Sequence, residues 1–441
     1  MIMKRFLIVG SGGRESAFAI KLMEDCILFA VISHKNPTII DCIEQSGGKY
    51  LVGDVSNPQL VTKFAIENNI DYVFVSADDP LANGVIDELL KNNLKAIGGT
   101  KEATRIEWDK IYSINLMQDI CPEFTPFFKV VSNPEELASC IEEFKNKKIE
   151  VVVKPQGLTG GKGVKVMPEH LKTYQDCVEY AMQLFNNRPN EKVLLVEKLN
   201  GIEFTIMGLT DGNNLVLSPA SYDYPFRSEN DLGAGTGGMG CFTHFEKKLP
   251  FMTDKDLSDC QHIMQKVIDK MRDDGLFFNG VLNGGFFKTS KGIMFMEFNS
   301  RFGDPEGLNV LTILESSFSQ LLQDIWHKNL SENSVKFIKK ASVIKYLVAK
   351  EYPEASHEEI SFTLDTEQIK SMGINLFFAA AESTGQNQYK TLKKSRVLAF
   401  GAVANEIETA SALVNQAIDN HFQGKLEYRR DIGQNLDKLK I

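Results

Sequence analysis

Apolar positions recur in this chain in two rhythms, short runs of period 2 and longer stretches of period 3.6, and their alternation predicts the architecture. Residues 6–9, FLIV, form a short buried strand, residues 10–15 a glycine-rich turn, residues 16–24 a helix and residues 27–32 a second strand. Strand, turn, helix, strand is the βαβ unit of a parallel sheet. The pattern continues with a strand over 50–52, a helix over 58–68, a strand over 72–75 and a helix over 81–91. The middle of the chain reads differently. A helix over 104–116 carries Lys110, and a loop covers 122–128. A strand over 151–153 ends in Lys154 and Pro155, a glycine loop fills 157–163, and strands follow at 164–167 and 193–196. A further strand starts at Phe204, and 221–240 is a long polar, glycine-rich loop. A helix then covers 255–274, with strands at 280–287 and 294–298. Strands at 341–349, 373–381 and 396–403 and a helix over 410–419 make a compact α+β end.

Composition narrows the class. A length of 441 residues suits two to four domains with real cores. The net charge of −9, with both signs interspersed, argues against a nucleic-acid partner held on a basic face. Seven cysteines with no CxxC pair read as reduced thiols of a cytoplasmic protein. Seven scattered histidines give no zinc constellation. The apolar part of the N-terminus is too short for a signal peptide, and no run approaches a membrane span.

The candidate chemistry lies in a few stretches. In MFMEFNSRFGDPE, residues 294–306, Glu297 and Asn299 alternate along a strand, so both side chains share one face. A carboxylate and an amide oxygen there suit Mg²⁺, whose shell substrate phosphates complete. Arg301 in the following turn can grip a phosphate or carboxylate bidentately. The plainer alternative is an amphipathic strand entering a solvated turn. The turn at 10–15 lacks the third glycine of a dinucleotide fingerprint, since Glu15 stands there. Its helix N-terminus can still take a substrate phosphate, and Glu15 ribose hydroxyls. Asp78 lies at the same sheet edge, and Asp78 and Asp79 are equally well turn residues before Pro80. The loop 157–163 is a flexible flap whose N–H groups can cradle phosphates, or else a simple hairpin loop. No helix or Lys-Ser/Thr pair makes it a P-loop. Glu197 and Glu203 border a hinge that can meet a purine edge and ribose hydroxyls. A loop as long as 221–240 is uncommon unless functional.

Lys154 with its glycine flap, the Glu197 hinge and Glu297-Phe298-Asn299 stand in the order of the ATP-grasp enzymes, which these stretches resemble. More narrowly, GSGGRE, TKEATRIEWDK, KPQGLTGGKGV, GTGGMG, EFNSRFGDPE and LEYRRDIG resemble the phosphoribosylamine–glycine ligase family of purine synthesis, from Gly10 to Gly433. The resemblance implies an α/β and α+β multidomain fold. A Rossmann-like domain would cover 1–103, a two-lobed ATP-grasp domain 104–335 with a flap subdomain at about 126–196, and a small α+β domain 336–441. It implies an ATP-dependent ligase joining glycine to 5-phosphoribosylamine through a glycyl phosphate. The cofactors would be ATP with Mg²⁺ or Mn²⁺, the partners small molecules, and the chain a monomer, with a homodimer as the alternative.

Residue by residue, the resemblance assigns ATP to Lys110, Lys154, Thr159, Gly160, Gly161, Lys162, Gly163, Glu197, Lys198, Leu199 and Glu203. It assigns the metal to Glu297 and Asn299 and catalysis to Arg301 and Lys154. Substrates fall to Gly12, Gly13, Arg14, Glu15, Asp78, Asp223, Arg227, Gly238, Arg301 and Asp304. The ATP half keeps the family's residues and the acceptor half departs from them. Ser16 replaces a histidine, Asp78 follows Ser76-Ala77 where Gly-Pro-Glu is usual, Tyr224-Pro225-Phe226 follow Asp223, Gly235 replaces an asparagine, and Gly307-Leu308 follow GDPE. Arg227 is the cation expected to compensate. Two alternatives stay open: a ligase for a different amine and carboxylate, and a catalytically silent nucleotide-binding relative. Arg429, Arg430 and Asp431 read as structural ion pairs, with a substrate-facing Arg429 as the alternative.

Overall fold

The computed structural model describes residues 3–157, 163–244, 246–393 and 395–439. It divides into two compact units. The first comprises Met1–Thr104, Phe204–Asn283 and Ser300–Ile441, the second Arg105–Glu203 and Gly284–Asn299.

The first unit opens with five parallel strands, in the order Tyr50–Val52, Ile27–Ile32, Arg5–Val9, Tyr72–Val75, Ala96–Ile97. Alternation sends Leu7, Val9, Val31, Val73 and Val75 into one core. On the opposite side Phe74 meets Phe18, Phe302 and Phe318 at ring distances of 4.9 to 6.2 Å. That aromatic cluster fixes Phe302, and with it the turn 301–306.

Three expectations for this region change. The first helix runs Gly13–Leu22 and so begins inside the glycine turn, because the Glu15 carboxylate reaches back to accept the Gly12 N–H at 2.7 Å. A helix at Pro37–Ser46, passed over in the sequence, starts from an Asn36 cap followed by proline. The helix expected over 81–91 is two pieces, Asp78–Ala82 and Val85–Lys91, parted at Gly84 with φ +80°.

A second sheet in this unit continues through Ser221–Asp223, Gly240–Thr243, Ala341–Leu347, Leu398–Ala404 and Asn375–Phe378. The C-terminal third therefore shares a sheet with the glycine-rich segment. It also carries a four-stranded sheet of its own, Ala381–Gly385, Gln388–Thr391, Ser361–Leu364 and Phe422–Gln423. The segment 221–240, expected as one long loop, contains an antiparallel hairpin, Phe226–Ser228 with Leu232–Gly235.

The second unit is built on the sheet Phe128–Val131, Val193–Glu197, Val151–Pro155, Lys165–Val166. Val151, Val153, Val193 and Leu195 point to helices Pro134–Lys147 and Tyr174–Asn187. Val152, Leu194 and Val196 point the other way, onto Ile111 and Ile114 of helix Lys110–Ile120. Lys154 has the parity of Val152, so it leaves the strand on the face that this helix covers. The helix expected over 104–116 is broken: Arg105–Trp108 ends, Asp109 caps, and a new helix starts at Lys110.

Candidate active site

In the second unit the break at Asp109 brings the lysines into place. Asp109 caps the N–H groups of Ile111 and Tyr112, takes a fork from Arg105 and accepts Gln156 Nε2 at 3.2 Å. Gln156 directly follows the strand that carries Lys154, so one buried carboxylate registers both lysine-bearing elements. Lys110 is the first residue of its helix and donates from Nζ to the Gly157 carbonyl at 2.6 Å. Burial pushes its pKa down; Glu297 opposes that and Lys154 adds to it. Lys110 therefore feels both Glu297 and Lys154.

Helix Lys110–Ile120 packs on strand Gly292–Asn299. There Glu297 and Asn299 are half-buried at alternate positions. Glu197 ends its strand with its carboxylate accepting the Phe127 N–H at 3.1 Å. Lys198, expected at ATP, is paired with Glu169 at 2.8 Å and Glu150 at 3.2 Å. Leu199 is half-buried and Glu203 exposed. Thr159, Gly160, Gly161 and Lys162 lie outside the described residues. Gly163, at the far shoulder of the loop, gives its carbonyl to the Tyr180 hydroxyl at 2.9 Å.

No group of three or more His, Cys, Asp or Glu among the described residues could hold a metal. The pair Glu297 and Asn299 nevertheless fits a magnesium ion, which takes hard oxygens and is commonly held by one or two protein ligands plus phosphates and water.

In the first unit, neighbouring parallel strands place the 10–13 turn beside residues 76–78. Arg301 Nε donates to Asp78 Oδ1 at 2.6 Å and Arg14 Nη1 lies 3.5 Å from the same oxygen. Both arginines also donate to the Phe302 carbonyl, at 3.2 and 3.0 Å. Burial would raise the Asp78 pKa, but Arg301 and Arg14 together hold it at about 2. Its side chain remains 41% exposed.

Glu15, expected at ribose hydroxyls, is buried. Its carboxylate accepts the Gly12 N–H and Arg14 Nε at 3.2 Å, and burial pushes its pKa up against the pull of Arg14. Asp304 Oδ1 accepts the Tyr346 hydroxyl at 2.7 Å and lies 3.3 Å from Arg396. Two glycines are required by close approach. A Cβ at Gly13 would stand 2.0 Å from Tyr346 Oη, and one at Gly238, φ +98°, would stand 2.7 Å from Asp223 Oδ1.

Arg227 departs from expectation. Its donors go to the Tyr352 carbonyl at 3.0 Å, the Ala349 carbonyl at 3.4 Å and Glu427 at 2.6 Å. Ser16 is buried, donating to the Phe378 carbonyl at 2.6 Å and lying 3.2 Å from Asn36 Oδ1. Arg429 is buried on Asp431, Asp231 and the Phe226 carbonyl. Sequence reasoning passed over Asp109, Tyr346 and Arg396. Asp109 carried a usable signal as a helix-capping residue type inside an expected helix; the other two carried none.

Residues 4–107, 108–307 and 342–435 match the N, ATP-grasp (A) and C domains of phosphoribosylglycinamide synthetase. Among solved structures, phosphoribosylamine–glycine ligase of Thermotoga maritima superposes with a TM-score of 0.79, covering 97% of this chain and 100% of that one at 23% identity. The biotin carboxylase domain of Hydrogenobacter thermophilus 2-oxoglutarate carboxylase, in complex with MgADP, gives 0.70 over 99% and 94% at 14% identity. Fold and domain content thus define an ATP-grasp ligase. Phosphoribosylamine–glycine ligases of Methanothermobacter thermautotrophicus and Methanobrevibacter smithii are each 36% identical over 431 residues, 97% of this chain and 96% of theirs. The chain belongs to the phosphoribosylglycinamide synthetase family, the phosphoribosylamine–glycine ligases of purine biosynthesis. None of its described helices is long and apolar enough to cross a membrane.

Proposed function

We propose that the chain uses ATP to join glycine to 5-phosphoribosylamine. The γ-phosphoryl group passes to the glycine carboxylate, giving glycyl phosphate and ADP. The amine then attacks the acyl carbon, loses a proton, and expels phosphate to leave glycinamide ribonucleotide. The single observation that carries this reading is the near-full-length similarity to ligases of that name.

The residues supply chemistry for it. Lys110 and Lys154 are cations for the ATP phosphates, and a glycine loop closing over them would exclude water from an acyl phosphate. The 197–203 segment takes the nucleoside. Glu297 and Asn299 would hold Mg²⁺ or Mn²⁺, whose charge neutralises the phosphoryl group in transfer. Arg14 and Arg301 take the substrate anions, and Asp78, ionised at any physiological pH, keeps both guanidiniums oriented. No side-chain nucleophile is needed, because substrate groups attack. The domain division 1–103, 104–335 and 336–441, a cytoplasmic monomer and the absence of a nucleic-acid partner belong to the same proposal.

The test is phosphate release with Mg²⁺, ATP, glycine and phosphoribosylamine made in place from ribose 5-phosphate and ammonia, each component omitted in turn. Release that needs both acid and amine, with product of the expected mass, supports the reading. A second reading, another amine and carboxylate on the same machinery, is favoured by Ser16. The hydroxyl at this altered position is committed to the Phe378 carbonyl and has become packing. ATP binding without release from these substrates would select it, and a screen of acids against amines would follow.

A further inference from the structure

The C-terminal third has no nucleophile, acid–base pair or metal set that the proposed reaction uses. It does contain one arginine whose donors converge on two of the stretches assigned to the substrates. Arg396 lies two residues before the strand Leu398–Ala404. Its Nη1 donates to the Gly237 carbonyl at 2.6 Å, the Gly238 carbonyl at 2.9 Å and the Asp304 carbonyl at 2.7 Å. Its Nη2 lies 3.3 Å from the Asp304 carboxylate, and its side chain is 12% exposed. The guanidinium stacks over the Tyr346 ring at 4.4 Å. The Tyr346 hydroxyl in turn bonds Asp304 and sits where a Cβ at position 13 would be.

We propose that Arg396 is a positioning residue for substrate binding. It latches the glycine-rich segment at Gly237 and Gly238 to the turn at Asp304, while its stacking on Tyr346 ties that latch to the start of the first helix. This deepens the ligase reading and rests on it.

The chemistry favours a latch over a ligand. Three backbone carbonyls crowd Nη1, a carboxylate lies beside Nη2, an aromatic ring covers a face, and the side chain is largely buried, which leaves little of it open to a substrate anion. Backbone bonds pin the segment on either side, Thr236 N–H on the Pro225 carbonyl at 2.7 Å and Met239 N–H on the Tyr224 carbonyl at 2.8 Å, and Arg396 takes the two carbonyls between them. Gly237 and Gly238 have no side chains, and Gly238 has a left-handed φ. Their N–H groups are directed by the Tyr352 hydroxyl, 3.2 Å from Gly237 N, and the Thr236 hydroxyl, 3.1 Å from Gly238 N. A cation that gathers consecutive carbonyls gives such a segment one conformation instead of many. Lysine replaces it only in part, because an ammonium can meet the carbonyls gathered at Nη1 but has neither the second nitrogen beside the Asp304 carboxylate nor the planar face that stacks on Tyr346.

The test uses the full chain with Arg396→Ala, Arg396→Lys and Tyr346→Phe. In the ligase assay Arg396→Ala should raise the KM of glycine and of the amine about 10- to 100-fold, the size of a lost charged hydrogen-bond set. The KM of ATP should stay within about threefold, since the residues assigned to ATP belong to the other unit. Arg396→Lys should recover only part of the loss and Tyr346→Phe should show a smaller shift of the same kind. Equal changes in all three KM values would overturn the proposal, as would a fall in kcat alone.

A second measurement does not depend on the reaction being the one proposed. Amide hydrogen exchange over 233–243 should quicken in Arg396→Ala while the 128–197 sheet keeps its protection. Unchanged exchange over 233–243 overturns the latch. Quickened exchange in a protein that shows no glycine-dependent release keeps the latch and removes the ligase reading.

Discussion

The two units hold their candidate residues in opposite ways. In the second, Lys110, Lys154, Glu297 and Asn299 stand on three separate elements, partly open, with Lys110 resting on a backbone carbonyl. In the first, Arg14, Arg301 and Arg396 are already answered by Glu15, Asp78 and Asp304. Lone cations on a face await an anion. Cations bound to carboxylates hold a shape, and they meet a ligand only through what the pairs leave uncovered. On the proposed function, the difference suits a polyphosphate in one unit and a small, exactingly placed acid and amine in the other. It also predicts where substitutions will act, on chemistry in the second unit and on stability together with substrate KM in the first.

The largest effect should come from the open half. Glu297→Gln keeps the shape and removes the charge that the proposed divalent ion would need. Turnover should fall by about 100-fold or more, the scale of a lost electrostatic contributor. Thermal stability should change little, since the carboxylate is half-exposed and no buried pair is broken. A large drop in melting temperature would mean that the second unit is as prelocked as the first.

Gly13→Ala reverses the signature. The added methyl meets Tyr346 Oη, and overpacking of this kind costs about 1–3 kcal/mol. In a Tyr346→Phe background the clash is relieved, so the two changes should be strongly non-additive in denaturant unfolding. Simple additivity would show that the helix start and Tyr346 do not bear on each other.

Lys345 tests the same tightness at a group unrelated to substrate. It is fully buried in the sheet and donates to Ser411 Oγ, Asn415 Oδ1 and the Arg430 carbonyl, at 2.9, 2.9 and 2.8 Å. Ser411 gives its own proton to the Ile432 carbonyl, so toward the lysine it only accepts. Burial pushes the Lys345 pKa down to about 7, with Asp431, Glu229 and Asp419 pulling it up and Arg430 pushing it down. Between pH 7 and its ordinary value near 10.5 the unfolded chain holds the proton and the folded chain releases it. Stability contributed by this residue therefore rises with pH across that window, by at most about 1.4 kcal/mol per unit. Lys345→Met should be least costly below pH 7 and increasingly costly toward pH 10. A pH-independent difference between the two proteins would place the amine in the same charge state folded and unfolded.

How much of this was legible follows the same divide. The second unit's residues sit in local patterns: a strand ending in Lys154, alternation at Glu297 and Asn299, glycines at 157–163. Period and spacing reach that far, although the break at Asp109 was missed because the apolar rhythm of 104–116 runs straight through it. The parallel strands of the first unit were legible for the same reason. What holds its candidate site was not. Arg396 lies 92 residues from Asp304 and 159 from Gly237 along the chain. Tyr346 sits in a strand buried along its whole length, and its hydroxyl has no sequence signature. Glu15 was legible as a charged residue near a phosphate-type turn, but its use as a helix cap depends on where the helix begins, and that boundary was set three residues late. The hairpin inside 221–240 was hidden by glycine and polar composition, which reads as loop whatever the backbone does.

Arg227 gives the smallest effect and the sharpest contrast. Charge alone made it the cation to replace those absent from the acceptor half. The structure commits it instead to the Tyr352 carbonyl and to Glu427, whose side chain is half in water. A half-exposed pair of that sort contributes about 0–1 kcal/mol, and the bonds to the Tyr352 and Ala349 carbonyls, the second long at 3.4 Å, together about 1 kcal/mol. Arg227→Ala should therefore lower unfolding stability by about 1–2 kcal/mol and leave the KM of the amine within about threefold. Salt should narrow the stability difference, because the Glu427 share is screened. A tenfold or greater rise in the amine KM with stability unchanged would return Arg227 to the substrate. The acceptor half would then hold one unlocked cation after all, and the contrast between the units would be one of degree.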